Sequence, residues 1–316
     1  MGQLVDGVWR RSDQFADDSG RFKRQDSVFR NWVTATGEAG PTGRDGFAGE
    51  PGRYLLYVSL ACPWAHRTLI MRRLKGLDGM IDLAVVHWLM GEDGWTFAPG
   101  PSVTGDPIGG ATHLHQVYTA AEAGYTGKVT VPVLWDKRSR TMVSNESADI
   151  IRMFNDAFDG AGAAPGDYYP ADLRDEIDRI NDRVYGAVNN GVYKAGFATT
   201  QSAYEEAVRP LFETLDWLET HLTGRTWLVG DRLTEADIRL FTTLARFDAV
   251  YVGHFKCNLR RIADYPALSG FVDAMLAVPG VAETINLEHI KRHYYESHRH
   301  INPTGVVPVG PVPPLV

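Results

Sequence analysis

The sequence predicts an α/β domain followed by an all-helical domain, and three observations lead to this prediction. Between residues 53 and 88, two apolar runs flank a segment of helical period, which is typical of a β-α-β unit. From about residue 167 to 290, apolar residues recur every three or four positions, as in amphipathic helices. Between these regions, the Gly- and Pro-rich stretch FDGAGAAPGDYYP indicates a domain boundary.

Length and composition agree with two globular domains. The chain has 316 residues, of which 44% are hydrophobic and 22% charged, with a formal net charge of −7. An acidic chain is a poor partner for nucleic acid, whose phosphates are bound by clustered Lys and Arg. The two cysteines are too few for a disulfide framework or a four-thiolate zinc site.

The first 50 residues show neither a helical nor a strand period, and they predict a long irregular arm. Large aromatic residues lie in it, which favours an arm that wraps a core over one that floats free. They include Trp9, Phe15, Phe22, Phe29 and Trp32.

The next region, residues 51–160, predicts a thioredoxin-like domain. RYLLYVSL is a buried strand, the following helix begins near Pro63, and IDLAVVHW (81–88) is a strand that a short crossover makes parallel to the first. After a long insertion, KVTVPVLWD (128–136) is a third strand, and Pro132 belongs at its start. TMVS is its antiparallel partner and NESADIIRMFNDAF is a helix, which completes the order β-α-β-β-β-α.

Residues 167–290 predict the all-helical domain, and residues 291–316 an extended, proline-rich tail. Thr234 and Asp237 have the spacing of a capping box at the start of one helix. In the tail, five prolines fall within 14 residues from Pro303, a density that excludes a helix.

The strongest candidate for chemistry is Cys62 in SLACPWAHR. It follows a strand and precedes Pro63 at the start of a helix, where orphan N–H groups and the helix dipole stabilise a thiolate. Thiols in such positions have pKa values of roughly 3.5–7.5. A lone cysteine is ordinarily a buried, inert side chain, but this context favours a reactive thiol. Because position 65 is Ala65, the chemistry needs an external thiol rather than a second cysteine.

Other motifs carry weaker signals. HYYESHRH (293–300) lacks the imidazole spacing of a metal site, so no metal is predicted. His113 and His115 are expected to be solvent-exposed, and neither phosphate-binding glycine motif occurs in a strand-to-helix setting. At NES (145–147), either Ser144 or Asn145 caps the helix, or the helix N-terminus binds a carboxylate. With no apolar run of membrane-spanning length and no signal-peptide pattern, a cytoplasmic protein without membrane partners is expected.

Several motifs in order resemble a known family. The Cys-Pro, V-P, E-S and L-T-E-A-D signatures resemble a cytosolic glutathione transferase, and hence predict that fold. CPWAHR, GEDGWTF, VTVPVLWD, SNESADIIRMFN, VYKAGFA, HYYESH and the N-P…V-P-x-G-P tail resemble more specifically the glutathionyl-hydroquinone reductases, the xi class. The resemblance runs from the arm to the tail, and it implies a homodimer that uses glutathione as co-substrate.

The resemblance implies a cysteine-dependent reduction. The Cys62 thiolate would attack the sulfur of a glutathionyl-hydroquinone, releasing hydroquinone and leaving a mixed disulfide that a second glutathione resolves. Tyr193 from V-Y-K, and either Tyr294 or Tyr295 from H-Y-Y, would reach the quinol side, where a phenol can protonate the departing carbon.

The resemblance also implies the residues that bind glutathione, namely Trp95, Lys128, Val131, Glu146 and Ser147. Trp95 would lie against the glutathione, and Val131, before a cis proline, would pair its backbone with the cysteinyl part. Glu146 and Ser147 would hold the γ-glutamyl end. Lys128 stands where relatives often carry Arg and would contact a carboxylate of glutathione.

Two alternatives of other classes stay open. An omega-like thioltransferase or dehydroascorbate reductase would use the same cysteine, so only the tyrosine motifs and the substrate profile separate it from the main reading. A non-catalytic protein that binds aromatic ligands on this fold would have an inert thiol at Cys62.

Overall fold

The computed structural model describes residues 2–11 and 16–311 of the chain. These residues form two compact units. The first unit comprises residues 2–11, 25–166 and 284–293, and the second comprises residues 16–24, 167–283 and 294–311.

The arm is more regular than the sequence predicts, and most of it belongs to the first unit. Strands β1 (Gly2–Val5) and β2 (Val8–Arg11) form an antiparallel hairpin, while β3 (Trp32–Thr34) and β4 (Gly46–Ala48) pair in parallel. The prediction of an irregular arm is therefore wrong for these segments. Strands of three or four residues are too short for a period of two to show in the sequence.

A four-stranded mixed sheet forms the centre of the first unit, in the order β6-β5-β7-β8. Its strands are β5 (Tyr54–Val58), β6 (Ile81–Val85), β7 (Val133–Asp136) and β8 (Thr141–Ser144). Strand β5 runs parallel to β6, and β8 is antiparallel to β7, which confirms the two predicted pairings. Strand β5 also pairs with β7, in the antiparallel sense. Every residue of β5 is buried, as its continuous apolar run predicts.

The first unit also contains the helices α1 (Pro63–Leu74), α2 (Leu114–Ala121) and α3 (Ser147–Asp156). Helices α1 and α3 pack against each other. Their N-termini follow β5 and β8 directly, so each helix starts at the end of a sheet strand. This arrangement places Cys62 and Glu146 at the two helix starts.

The second unit is helical. Its helices are α4 (Arg174–Val184), α5 (Gly191–Gly196), α6 (Gln201–Leu222), α7 (Glu235–Arg246) and α8 (Pro266–Ala277). Two π-helical turns, Tyr185–Asn189 and Phe247–Tyr251, continue α4 and α7. The predicted capping box of α7 is confirmed, because Asp237 accepts from the backbone N–H of Thr234 at 2.8 Å.

The last helix, α9 (Leu287–Ser297), extends beyond residue 290, where the sequence predicts the tail to begin. Its first half clusters with the first unit and Tyr294 onward with the second. The HYYES segment continues the helix because it contains no helix breaker, and the first proline after it is Pro303. Phe15 and the last residues of the tail, 312–316, lie outside the described residues.

No single helix within the described ranges is long and apolar enough to cross a membrane. One pair bent by 92°, Pro266–Ala277 with Ala282–Ser297, meets the length and composition criteria together.

Candidate active site

Cys62 occupies the N-cap position of α1. Its backbone is extended, with φ −78° and ψ 123°, and Pro63 is the first helical residue. The side chain is half-buried, and its Sγ lies 3.6 Å from the carbonyl oxygen of Val131, whose peptide bond to Pro132 is cis. The first turn of α1 carries no acidic residue. The thiol therefore lies at the positive end of a helix with no carboxylate in that turn to oppose a thiolate.

Cys257 has the opposite environment. It is fully buried in the second unit, and its Sγ donates to the carbonyl oxygen of Phe255 at 3.7 Å. Burial raises the pKa of the Cys257 thiol far above its usual value, so this cysteine stays a neutral thiol. Of the two cysteines, only Cys62 has the setting of a nucleophile.

The start of α3 is built by groups that the sequence does not reveal. The helix is capped by Glu146, whose side chain accepts from the N–H of Ala148 at 3.0 Å, and not by Ser144 or Asn145 as predicted. Asn145 is used elsewhere, since its Oδ1 accepts from the N–H of Phe29. The longer Glu146 side chain reaches the orphan N–H in its place.

Two further residues hold the start of α3. The Ser27 hydroxyl donates to Glu146 Oε2 at 3.0 Å, and Arg67 Nη1 donates to Ser147 Oγ at 3.4 Å. Arg67 lies on α1, so one side chain links the helix that carries the thiol to the start of α3. Ser27 comes from the arm, and only the fold reveals its role because nothing in its local sequence marks it.

Trp95 and Lys128 also lie in the first unit. Trp95 is buried, and its ring stacks on the imidazole of His293 with centroids 4.7 Å apart. Lys128 is half-buried, which lowers the pKa of its amine, and its backbone N–H donates to Gln25 Oε1 at 3.1 Å. The five predicted glutathione-binding residues and Cys62 thus all belong to one unit.

The predicted tyrosines lie in the second unit, and two of them are hydrogen-bonded to each other. The hydroxyls of Tyr193 and Tyr294 are 2.7 Å apart, and that of Tyr251 lies 3.0 Å from Tyr294. Tyr295 instead packs its ring against His254, with centroids 4.8 Å apart. Tyr251, which the sequence analysis missed, comes from a π-helical turn, a distortion often found at functional sites.

The three phenols differ in burial. Tyr251 and Tyr294 are fully buried, and desolvation raises their pKa values well above that of an ordinary tyrosine. Tyr193 is only half-buried. The chain of hydroxyls therefore has two buried, protonated members and one half-buried member.

Histidines near the tail form no metal site. His254 Nε2 and His298 Nδ1 are 3.1 Å apart within a cluster of aromatic rings. Across residues 2–11 and 16–311, no group of three or more His, Cys, Asp or Glu side chains is arranged to hold a metal ion.

His113 and His115 stack on each other, and Trp9 stacks on His115.

The tail is anchored to the end of α9. Asn302 Nδ2 donates to the carbonyl oxygen of Tyr295 at 2.7 Å. The backbone N–H groups of Ile301 and Asn302 both donate to the carbonyl oxygen of His298, each at 2.9 Å. These bonds satisfy carbonyl groups that the helix end leaves without partners.

Deletion of residues 301–316 should therefore lower catalytic turnover more than it lowers the melting temperature of the first unit. Loss of the capping bonds loosens the end of α9 next to Tyr294, whereas the sheet of the first unit is untouched. Steady-state kinetics and thermal unfolding measure the two effects. Rapid proteolytic loss of the tail from native protein, with activity unchanged, would contradict this expectation.

Comparisons with known proteins agree with this arrangement. The N-terminal domain of glutathione S-transferases matches residues 61–157, and the C-terminal domain of the same family matches residues 201–274. The glutathionyl-hydroquinone reductase PcpF of Sphingobium chlorophenolicum is 62% identical over 318 residues, covering 100% of this chain and 98% of the relative. YqjG of Escherichia coli K12, which bears the same name, is 58% identical and covers 98% and 95%.

Solved structures give the same answer. The glutathione-bound structure of YqjG superposes with a TM-score of 0.92 at 56% identity, covering 99% of this chain and 97% of that one. A mixed sheet with a cysteine at its first helix, followed by a helical domain, defines a glutathione transferase of the cysteine type. The chain belongs to the glutathionyl-hydroquinone reductases, the xi class of that family.

Proposed function

We propose that this enzyme reduces glutathionyl-hydroquinones to hydroquinones through a mixed disulfide between Cys62 and glutathione. The observation that carries the proposal is the position of Cys62 at the N-cap of α1, beside the carbonyl group of Val131. The full-length similarity to named glutathionyl-hydroquinone reductases supports the choice of substrate.

The first step transfers the glutathionyl sulfur. The Cys62 thiolate attacks that sulfur, the bond from sulfur to the aromatic carbon breaks, and its electron pair stays on the carbon. The carbon takes a proton and leaves as hydroquinone. We propose that Tyr193 donates this proton, and that Tyr294 and Tyr251 support the resulting phenolate through their hydroxyls.

The second step regenerates the enzyme. A glutathione thiolate attacks the glutathionyl sulfur of the mixed disulfide, glutathione disulfide leaves, and the Cys62 thiolate is restored. The protein's task in both steps is to hold the glutathionyl group at the thiol. We assign this binding to Trp95, Val131, Glu146 and Ser147, with Lys128 contacting a glutathione carboxylate.

Replacement of Ser147 by alanine should raise the KM for glutathione by about 10- to 100-fold while kcat changes little, since a hydrogen bond to a charged group contributes about 1.5–3 kcal/mol. Steady-state kinetics with glutathione varied measures both constants. A matched control is Ser139→Ala, since Ser139 lies in the turn after β7 and donates to Asp136 instead. An unchanged KM for Ser147→Ala would remove this residue from the binding set.

The substrate profile tests the function itself. We expect wild-type enzyme to turn over a glutathionyl-hydroquinone with a higher kcat/KM than dehydroascorbate or bis(2-hydroxyethyl) disulfide. Preference for the latter two would favour an omega-like thioltransferase. A thiol at Cys62 that is inert to iodoacetamide at pH 6 would favour a non-catalytic binding protein.

We further propose that the enzyme acts as a cytoplasmic homodimer and needs no metal ion. The family resemblance supports the dimer, which light scattering on the purified protein tests. Dialysis against EDTA should leave turnover unchanged, because thiol–disulfide exchange requires no Lewis acid. Loss of activity that Zn²⁺ restores would contradict the second statement.

A further inference from the structure

A cation from the arm lies over the ring of Tyr193. The guanidinium carbon of Arg24 is 5.0 Å from the centre of that ring, and Arg24 Nε donates to Asn190 Oδ1 at 2.7 Å. Asn190 is buried and precedes Tyr193 by less than one helical turn. Phe22 stacks on the same tyrosine, with ring centroids 6.3 Å apart. All four residues belong to the second unit.

We propose that Arg24 is a positioning residue for Tyr193. Its guanidinium holds the phenol ring in place and makes the phenol proton easier to give up. The inference rests on the proposed function of Tyr193 as proton donor. A cation is attracted to the face of an aromatic ring, and the attraction grows when the ring carries the charge of a phenolate. An opposite charge within about 4–6 Å of a titrating group favours its charged form.

Two neighbouring phenols do not supply this charge. The ring of Tyr251 packs near that of Tyr193, and the hydroxyl of Tyr294 lies 2.7 Å from the Tyr193 hydroxyl. Burial keeps both of these protonated and neutral. Arg246, which favours the ionised forms of these two phenols, is held to the carbonyl oxygen of Thr242 at 2.7 Å. Arg24 is the cation that the structure places on the ring of Tyr193 itself.

A simpler role for Arg24 would be to anchor the arm. Arg21 performs that role independently, because its guanidinium donates to both carboxylate oxygens of Glu206, at 2.9 and 2.8 Å, on the exposed face of α6. Arg21 therefore provides a matched control: an arginine of the same segment that anchors the arm to the same unit through a carboxylate on α6.

The test compares Arg24→Gln, Arg24→Lys and Arg21→Gln in the full-length enzyme. Glutamine removes the charge of Arg24 but can still donate to Asn190, whereas lysine keeps the charge. We expect Arg24→Gln to lower kcat with a glutathionyl-hydroquinone about tenfold and to shift the basic limb of the kcat profile up by about one pH unit. Both effects follow because a phenol without the cation is a weaker acid that stays protonated to higher pH. Arg24→Lys should recover most of the activity, and Arg21→Gln should match wild type.

A double-mutant cycle separates this inference from the function on which it rests. With Tyr193→Phe already present, Arg24→Gln should change kcat by less than about twofold, because its target has gone. If Tyr193→Phe lowers kcat but Arg24→Gln leaves kcat and the basic limb unchanged, the inference is wrong and the tyrosine role stands. An equal loss from Arg24→Gln in both backgrounds also overturns it. Full activity of Tyr193→Phe overturns both the donor role and the inference.

Discussion

Replacement of Cys62 by serine abolishes the reduction of glutathionyl-hydroquinones, with an expected loss of more than about a thousandfold in kcat/KM, because the thiolate is the nucleophile. A serine hydroxyl at the N-cap of α1 keeps the helix start but stays protonated at neutral pH. Steady-state turnover of a glutathionyl-hydroquinone, followed by release of hydroquinone, measures the loss.

The matched control is Cys257→Ser. This thiol is buried, and its elevated pKa keeps it neutral, so its replacement should leave kcat within about twofold of wild type. Burial of a hydroxyl in place of a thiol should lower the melting temperature, which is a separate measurement. Mass spectrometry after addition of a glutathionyl-hydroquinone without free glutathione should find glutathione on Cys62 alone. Comparable losses of activity in both variants would refute the assignment.

The part of the site that lies at element boundaries can be predicted from the sequence. Cys62 follows a continuous apolar strand and precedes Pro63, and both features are local signals of a strand end and a helix start. Val131 is marked by its proline, and Ser147 by the helix pattern that follows it. In each case the local chain conformation and the proposed chemical role depend on the same few residues.

Other parts of the site depend on contacts between distant segments, and local patterns cannot reveal them. Ser27 reaches Glu146 across 119 positions, and Arg67 reaches Ser147 across 80. Tyr251 lies in a π-helical turn, where an extra residue per turn changes the direction of the side chains that follow. A helical period read from the sequence assumes 3.6 residues per turn, so beyond such a turn it assigns side chains to the wrong face of the helix.

The choice between Tyr294 and Tyr295 illustrates the same limit. Adjacent residues of a helix point about 100° apart, so one of the pair faces a given neighbour and the other does not. The sequence gives no way to tell which face α9 turns toward Tyr193. The structure brings the Tyr294 hydroxyl to Tyr193 and packs the Tyr295 ring on His254.

The two units carry different parts of the proposed chemistry. The first unit holds the thiol and the groups assigned to glutathione, and the second holds the connected phenols. Reduction of a simple disulfide needs a thiolate and a glutathione site but no protonation of carbon. Cleavage of a bond between sulfur and an aromatic carbon needs the proton as well. A variant of the second unit should therefore affect the two substrate types differently.

Replacement of Tyr193 by phenylalanine should test this division most directly. The variant keeps the ring and removes the proton donor, and a general acid typically contributes about 10²–10⁴-fold, so we expect kcat with a glutathionyl-hydroquinone to fall about 100-fold. The KM for glutathione and the kcat for reduction of bis(2-hydroxyethyl) disulfide should change less than about twofold, since neither depends on the protonation of a carbon atom. Tyr294→Phe, which removes the hydroxyl that lies 2.7 Å from the hydroxyl of Tyr193, should also lower kcat. Tyr295→Phe, on the same helix, is the matched control and should remain active. If all three variants keep full kcat, the tyrosines serve only in packing and water supplies the proton.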